Sequence, residues 1–245
     1  CAHEKQSPLT LIDKNKSMII KHTPQSISFL YNETKLVLPQ AGSYQKNNAI
    51  LAIETCKAHF PKINMLEIQS SLKKWIWPGR MQIMAENIFY DVAHNANAID
   101  KLSQNLYSIY NKKPIGLLIL KNDKLTDKLL TLLYNEFEEL IISTIDSKDI
   151  LQKDDILDNN QLQQFKFVDN ITEALLEIQS IDYNGPKVIF GSHYIAKELY
   201  KFFDFSSNAA WNNSTFFWSF IFPPCSPGFP LLLPGKGTRN VTCSC

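Results

Sequence analysis

The chain has 245 residues, of which 44% are hydrophobic and 20% charged, proportions that are ordinary for a folded globular protein with a sizeable core. Its 25 basic and 24 acidic residues nearly cancel, so no overall field would draw it onto nucleic acid or an anionic membrane. We therefore expect no nucleic-acid or membrane partner. Any anionic ligand must be held by local geometry.

Cysteine usage and hydropathy bear on the location of the protein. The five cysteines are scattered and odd in number, which argues against a disulfide framework and fits a reducing cytosol. The most apolar run, residues 216–222, is far shorter than the roughly 20 residues that cross a bilayer. The chain starts with neither Met nor an apolar leader. We expect a cytoplasmic protein whose sequence here is truncated.

The first 74 residues predict a hairpin followed by helices. Apolar and polar side chains alternate over residues 26–38, on both sides of Asn32-Glu33. Apolar residues then recur with helical spacing over 45–56, with Asn48 near the start of that helix, and again over 65–75. Pro78-Gly79 closes this region.

From residue 87 onward, short apolar runs alternate with amphipathic segments of helical length. Strands are predicted at residues 88–92, 115–120, 140–144, 164–168 and 187–190. Helices are predicted between and after them, at residues 98–110, 125–134, 171–179 and 195–203. This alternation predicts an α/β fold, with a Rossmann-like, mostly parallel sheet covered on both faces.

The last 40 residues differ in composition from the rest. Residues 206–245 contain five prolines, clusters of Phe and Trp, and only Lys236 and Arg239 as charged side chains. We expect this segment to be a disordered extension that is not native to the domain. The predicted divisions are therefore residues 1–74, 75–205 and 206–245.

Two short motifs indicate where the chemistry takes place. Residues 77–80 read W-P-G-R, and residues 91–95 read D-V-A-H-N. Asp91 and His94 come at the carboxyl end of the first strand of the predicted α/β domain, which is where open α/β sheets bind ligands. Arg80 lies in the turn before that strand, where its guanidinium could reach a phosphate.

In this spacing the two motifs resemble the C-terminal domain of folylpolyglutamate and dihydrofolate synthases, members of the Mur ligase superfamily. Three further segments are similar to motifs of that family: Y-Q-K-N-N-A at 44–49, K-N-D-K at 121–124 and G-S-H-Y at 191–194. The resemblance spans residues 38–205. It implies that residues 1–74 are the end of a central ATPase domain and residues 75–205 the C-terminal Rossmann-like domain.

The chain departs from the usual form of these motifs at three positions. Val92 replaces a Gly and Ala96 a Pro in the family's D-G-A-H-N-P. Tyr44 stands where the family's H-Q-x-x-N-A has His.

The resemblance implies an ATP-dependent ligase that joins L-glutamate to dihydropteroate or a reduced folate through an acyl phosphate. Asn48 matches the residue that contacts adenine, Arg80 the one that reaches the ATP phosphates, and Asp91 a nucleotide-contacting Asp. His94 and Ser192 lie where the family holds the incoming glutamate, and His94 joins Arg80 as a candidate catalytic residue. A monomer is expected.

Each candidate also has a structural explanation. Asn48 could cap a helix, Asp91 could cap the helix after its strand, and His94 could be a hydrogen-bonded structural histidine. These alternatives stay open at the level of sequence.

The family's phosphate loop, G-T-x-G-K-G-[ST], has no counterpart before residue 38. The only similar segment, G-K-G-T at 235–238, is out of order and has Leu232 in place of the required earlier Gly. The magnesium ligands are likewise expected to precede the segment seen here, so we predict that this chain alone is inactive. The alternatives are a fragment of a peptidoglycan Mur ligase and a non-catalytic nucleotide-binding module.

Overall fold

A computed structural model describes residues 11–13 and 16–205. The N-terminal part of this region contains three strands and two helices: β1 (Ser17–His22), β2 (Ile27–Tyr31), β3 (Thr34–Leu38), α1 (Tyr44–His59) and α2 (Met65–Leu72). The strands form an antiparallel sheet in the order β1-β2-β3. The predicted hairpin is therefore confirmed as β2 and β3, and its turn places Asn32 and Glu33 at positive φ.

The alternation that predicted the hairpin also builds its core. Ile27 and Phe29 on β2 and Leu36 and Leu38 on β3 are fully buried. They pack with apolar residues of both helices, namely Ala49, Ile50, Ile53 and Ile68. Because side chains alternate across a strand, one face of the sheet faces the helices and the other is left more exposed.

The second part contains six strands and five helices: β4 (Gln82–Ala85), β5 (Ile88–Asp91), α3 (Ala96–Tyr110), β6 (Ile115–Leu118), α4 (Asp127–Glu136), β7 (Glu139–Ser143), α5 (Lys153–Leu157), β8 (Lys166–Val168), α6 (Ile171–Ser180), β9 (Lys187–Phe190) and α7 (Ala196–Phe202). The sheet order is β4-β5-β9-β6-β7-β8. β4 pairs antiparallel with β5, and every other pair is parallel. The predicted mostly parallel α/β sheet is confirmed.

Helices cover both faces of this sheet. Residues of α3 and α4 pack on one face with Phe89 and Leu118. Residues of α6 and α7 pack on the other face with Tyr90 and Leu117. The central strands are buried on both faces, which explains why β6 and β9 are apolar except for Lys187 at the start of β9.

The predicted elements of the α/β part are all present, with ends that differ by a few residues. The chain also forms β1, β4 and α5, which the sequence did not predict. The helix predicted to begin at residue 45 begins at Tyr44, so Asn48 lies in its second turn and is not a cap.

Two expectations about the divisions of the chain remain as they were. The boundary near residue 74 stays a prediction. The expected disordered extension, residues 206–245, lies outside the described residues. Within the described part of the chain, no helix is both long and apolar enough to cross a membrane.

Gly191, immediately after β9, brings two strand ends into backbone contact. Its φ is +111°, and a Cβ atom there would lie 2.2 Å from the carbonyl oxygen of Ile119. The amide of Ile119 donates to the carbonyl of Phe190 at 2.9 Å, so the sheet pairing continues past the end of β6. Only glycine fits this backbone conformation and this spacing.

We predict that Gly191→Ala lowers the free energy of unfolding by about 3 kcal/mol or more, because it adds both backbone strain and a backbone clash. Urea denaturation would measure the change. Gly185→Ala is the matched control, since the atoms nearest its Cβ belong to the side chain of Tyr183, which can move. Equal stability of the two variants would contradict the prediction.

Candidate active site at the carboxyl edge of the sheet

The carboxyl ends of β5, β9 and β6 lie side by side. The chain leaves β5 and β6 towards α3 and α4 on one face of the sheet, whereas it leaves β9 towards α7 on the other. The loops therefore diverge at β9. This divergence is the topological switch point at which open α/β sheets form a ligand crevice.

Asp91, the last residue of β5, is buried and accepts three hydrogen bonds. Its Oδ2 atom accepts from the amide of Met81 at 2.8 Å and from the Tyr44 hydroxyl at 3.1 Å. Its Oδ1 atom accepts from the amide of Ala93 at 2.8 Å. One carboxylate therefore joins the start of α1, the turn before β4 and the loop after β5.

Burial dominates the electrostatics of Asp91 and its partner. Loss of hydration raises the pKa of the Asp91 carboxyl, and its hydrogen bonds and the nearby Arg80 cation oppose that rise. Burial also raises the pKa of Tyr44, and the neighbouring Asp91 charge adds to this effect. Tyr44 consequently keeps its proton and remains a donor to Asp91.

Arg80 stands in a tight turn between two residues of left-handed conformation, Gly79 at φ +63° and Met81 at φ +45°. It is partly buried, and its Nη1 atom donates to the Gly79 carbonyl at 3.3 Å. The guanidinium has five N–H donors, so this single bond leaves others for an anionic ligand.

His94 is exposed in the loop after β5. Its ring Nδ1 atom lies 2.9 Å from the carbonyl oxygen of Val92, which can only accept, so Nδ1 carries the proton. Neutral His94 therefore presents Nε2 as an acceptor. Burial lowers the pKa of the neighbouring His193, and the nearby Lys121 cation adds to this effect.

Ser192 lies in the turn after β9 and is buried. Its Oγ atom accepts from the amide of Tyr194 at 3.1 Å. Its carbonyl accepts from the hydroxyl of Tyr90 at 3.2 Å, which ties the turn to β5. The Ser192 hydroxyl still has its own proton to donate.

Asn48 is exposed on α1, one helical turn after Tyr44, and its Nδ2 atom donates to Gln45 Oε1 at 2.9 Å. One turn of helix rises about 5.4 Å. Because Tyr44 touches Asp91, this end of α1 lies beside the carboxyl edge of the sheet.

The structure links three of the predicted residues through neighbouring backbone amides. Asp91 bonds to the amides that follow Arg80 and precede His94, and so holds those two candidates on either side of it. Asp91 does not cap the next helix, because Asn95 accepts from the amide of Ala98 and caps α3 itself. No direct hydrogen bond joins Asn48 or Ser192 to the other candidates within the described residues.

Sequence reasoning missed a polar cluster formed by Lys121, Asp149 and Tyr194. Lys121 Nζ lies 5.4 Å from the ring centre of Tyr194 and 4.0 Å from Asp149 Oδ2. The Tyr194 hydroxyl donates to the same Asp149 oxygen at 3.3 Å. Lys121 and Tyr194 belong to segments recognised as motifs, but Asp149 sits in a polar loop with no such signal.

Across the residues that the structure describes, no three His, Cys, Asp or Glu side chains are grouped so that they could hold a metal ion.

Comparison with known proteins agrees with the geometry. No protein-family model matches the chain. A dihydrofolate synthase/folylpolyglutamate synthase from Mycobacterium tuberculosis is 26% identical over 127 residues, which are 49% of this chain and 26% of that protein. The crystal structure of folylpolyglutamate synthase from Thermotoga maritima superposes with a TM-score of 0.66 at 22% identity. The match covers 86% of this chain and 52% of that structure.

The resemblance to folylpolyglutamate synthases is confirmed. The M. tuberculosis folylpolyglutamate synthase crystallised with ADP and AMPPCP has the same fold, with a TM-score of 0.65, 20% identity, and coverage of 82% of this chain and 51% of that one. This chain thus spans about half the length of the folylpolyglutamate synthase structures it matches.

We predict that Asp91→Asn destabilises the fold by about 1–3 kcal/mol. An amide has one acceptor oxygen, so its NH2 group must face a backbone N–H and leave a buried donor unsatisfied. Chemical denaturation would measure the loss. Asp169→Asn is the control, because Asp169 is exposed and forms a surface ion pair with Lys153. A loss no larger than that of the control would contradict the assigned role of Asp91.

Proposed function

We propose that this chain supplies one wall of the active site of an ATP-dependent ligase that adds L-glutamate to dihydropteroate or a reduced folate. The observation that carries the proposal is that one buried carboxylate, Asp91, at the switch point of the sheet binds the amide that follows Arg80 and the amide that precedes His94. The similarity to folylpolyglutamate synthases supports it, including relatives crystallised with ADP and AMPPCP.

ATP would contact three of the candidates. The exposed amide of Asn48 can donate and accept at once, which suits the edge of adenine. Arg80 would stabilise the negative charge of the transferring phosphoryl group. A ribose hydroxyl would reach Asp91 by replacing the Tyr44 hydroxyl at Oδ2, because the other bonds of this carboxylate are to backbone amides.

Glutamate would meet the acyl phosphate at His94 and Ser192. In the first step the acceptor carboxylate takes the γ-phosphoryl group and ADP leaves. In the second, the glutamate amine attacks the acyl carbon, an amide bond forms and inorganic phosphate departs. The Nε2 atom of neutral His94 is an acceptor suited to the proton that the amine loses.

Mg²⁺ is part of the chemistry that the resemblance implies, and the described residues contain no group of three His, Cys, Asp or Glu side chains that could hold it. Its ligands would belong to the segment that carries the phosphate loop, and none of the roles assigned above depends on them. We further propose that the protein acts in the cytoplasm, as a monomer, without nucleic-acid or membrane partners.

Two other functions would give different results in an assay. A peptidoglycan Mur ligase would use a nucleotide-linked muramyl acceptor in place of a folate. A non-catalytic module would bind nucleotide but gain no turnover from a phosphate-loop partner.

We predict that the purified 245-residue chain releases no ADP with ATP, glutamate and dihydropteroate or a reduced folate. Its sequence has no G-T-x-G-K-G-[ST] segment, so several preorganised phosphate contacts are missing. Each 1.36 kcal/mol of transition-state stabilisation that is lost slows the reaction about tenfold. ADP release and amide formation would be measured together. Turnover by the chain alone would contradict the prediction.

Adding the phosphate-loop half of a related synthase as a separate chain should restore ADP release, and Arg80→Ala should abolish it again. Arg80→Lys should recover part of the rate, because lysine keeps the charge without the planar fork. Lys128→Ala, an exposed change on α4, is the control and should match the unaltered chain. An active Arg80→Ala variant would refute the role of Arg80.

A further inference from the structure

The peptide bond that joins Arg80 to Met81 is held at both of its polar atoms. Its carbonyl accepts from Gln40 Nε2 at 3.1 Å, and its N–H donates to Asp91 Oδ2 at 2.8 Å. Gln40 and Asp91 are each only 4% exposed. Two buried side chains from distant parts of the sequence therefore fix the orientation of one peptide plane.

Gln40 makes three hydrogen bonds, all of them to this turn. Its Nε2 atom donates to the carbonyl of Trp77 at 2.6 Å as well as to that of Arg80, and its Oε1 atom accepts from the amide of Trp77 at 3.0 Å. Gln40 lies in the connection between β3 and α1. It thus joins the N-terminal sheet and helices to the segment that carries Arg80.

The turn itself would not keep this shape unaided. A left-handed conformation at a residue with a side chain, such as Met81, costs about 1–3 kcal/mol and persists only where its surroundings enforce it. Two further bonds do so: the Gly79 amide donates to Gln82 Oε1 at 2.9 Å, and the Val92 amide donates to the Gly79 carbonyl at 2.9 Å.

We propose that Gln40 is a positioning residue for Arg80. By orienting the Arg80–Met81 peptide, it sets the direction in which the guanidinium leaves the turn, and it ties that direction to the base of α1, where Asn48 lies. The task given to Arg80 rests on the proposed function, whereas the positioning itself rests only on the contacts described here.

The test uses the full 245-residue chain with Gln40→Glu and Gln40→Met. In Gln40→Glu, one carboxylate oxygen can still accept from the amide of Trp77, but the other faces the carbonyl oxygens of Trp77 and Arg80, to which it cannot donate. In Gln40→Met, a side chain of similar length forms none of the three bonds. Gln104→Met is the control, because the exposed Gln104 side chain bonds only to Asp100, four residues earlier on α3. The primary readouts are amide hydrogen exchange at Met81 and the NMR order parameter of the Arg80 Nε–H.

We expect Met81 to exchange at least about tenfold faster in both Gln40 variants and the Arg80 Nε–H to lose order. Exchange at Leu117, in the central strand β6, should stay unchanged once any shift in global stability is subtracted. Gln40 would be merely structural, and the proposal overturned, if Met81 and Leu117 accelerated by the same factor. Unchanged exchange and order in both variants would overturn it as well.

Ligand binding separates this proposal from the proposed function. AMPPCP should bind about tenfold more weakly to Gln40→Glu and to Arg80→Ala, with no further loss in the double variant, whereas adenosine should bind equally to all. If Arg80 loses order but AMPPCP affinity does not change, Gln40 still positions Arg80, and the phosphate role of Arg80 falls. Additive losses in the double variant would show that Gln40 acts independently of Arg80.

Discussion

The arrangement of the site depends on a carboxylate that has almost no access to water. A buried carboxyl group must either be protonated or accept hydrogen bonds, and Asp91 accepts them from two backbone amides and one tyrosine hydroxyl. Each donor belongs to a different segment, so satisfying one buried group fixes three pieces of chain. These hydrogen bonds fix the backbone next to Arg80 and next to His94, and the bond from Tyr44 holds the start of α1 in place.

The α/β part of the fold could be predicted because its strands are buried on both faces. Runs such as residues 115–118 and 188–190 are continuous and apolar, and amphipathic helices of full length separate them. The elements that were missed lack such a signal. β1 lies at an edge and exposes most of its residues, β4 has four residues and a bulge, and α5 has five residues in an acidic loop. Strand pairing, rather than local pattern, makes β1 and β4 regular, and α5 buries Ile156 in the core.

The candidate site residues could be identified from motifs in the sequence, but the contacts of these residues could not be predicted from it. The motifs indicated the candidate residues, whereas the bonds from Tyr44 to Asp91 and from Gln40 to Arg80 span 47 and 40 positions. Tyr44 was visible in the sequence only as a departure from the usual His. Once its hydroxyl is seen to donate to Asp91, the substitution has a physical explanation. Gln40 has no motif, and only its burial and its three bonds identify it.

The backbone contact at Gly191 has a consequence for how the crevice responds to what enters it. The end of β9 rests against the carbonyl of Ile119, so the loops that carry Ser192 and Lys121 start from strand ends that are joined at the backbone. In the proposed ligase, we therefore expect a bulkier acceptor to be accommodated by rotation of exposed side chains such as His94 and Tyr194 rather than by separation of these two strand ends.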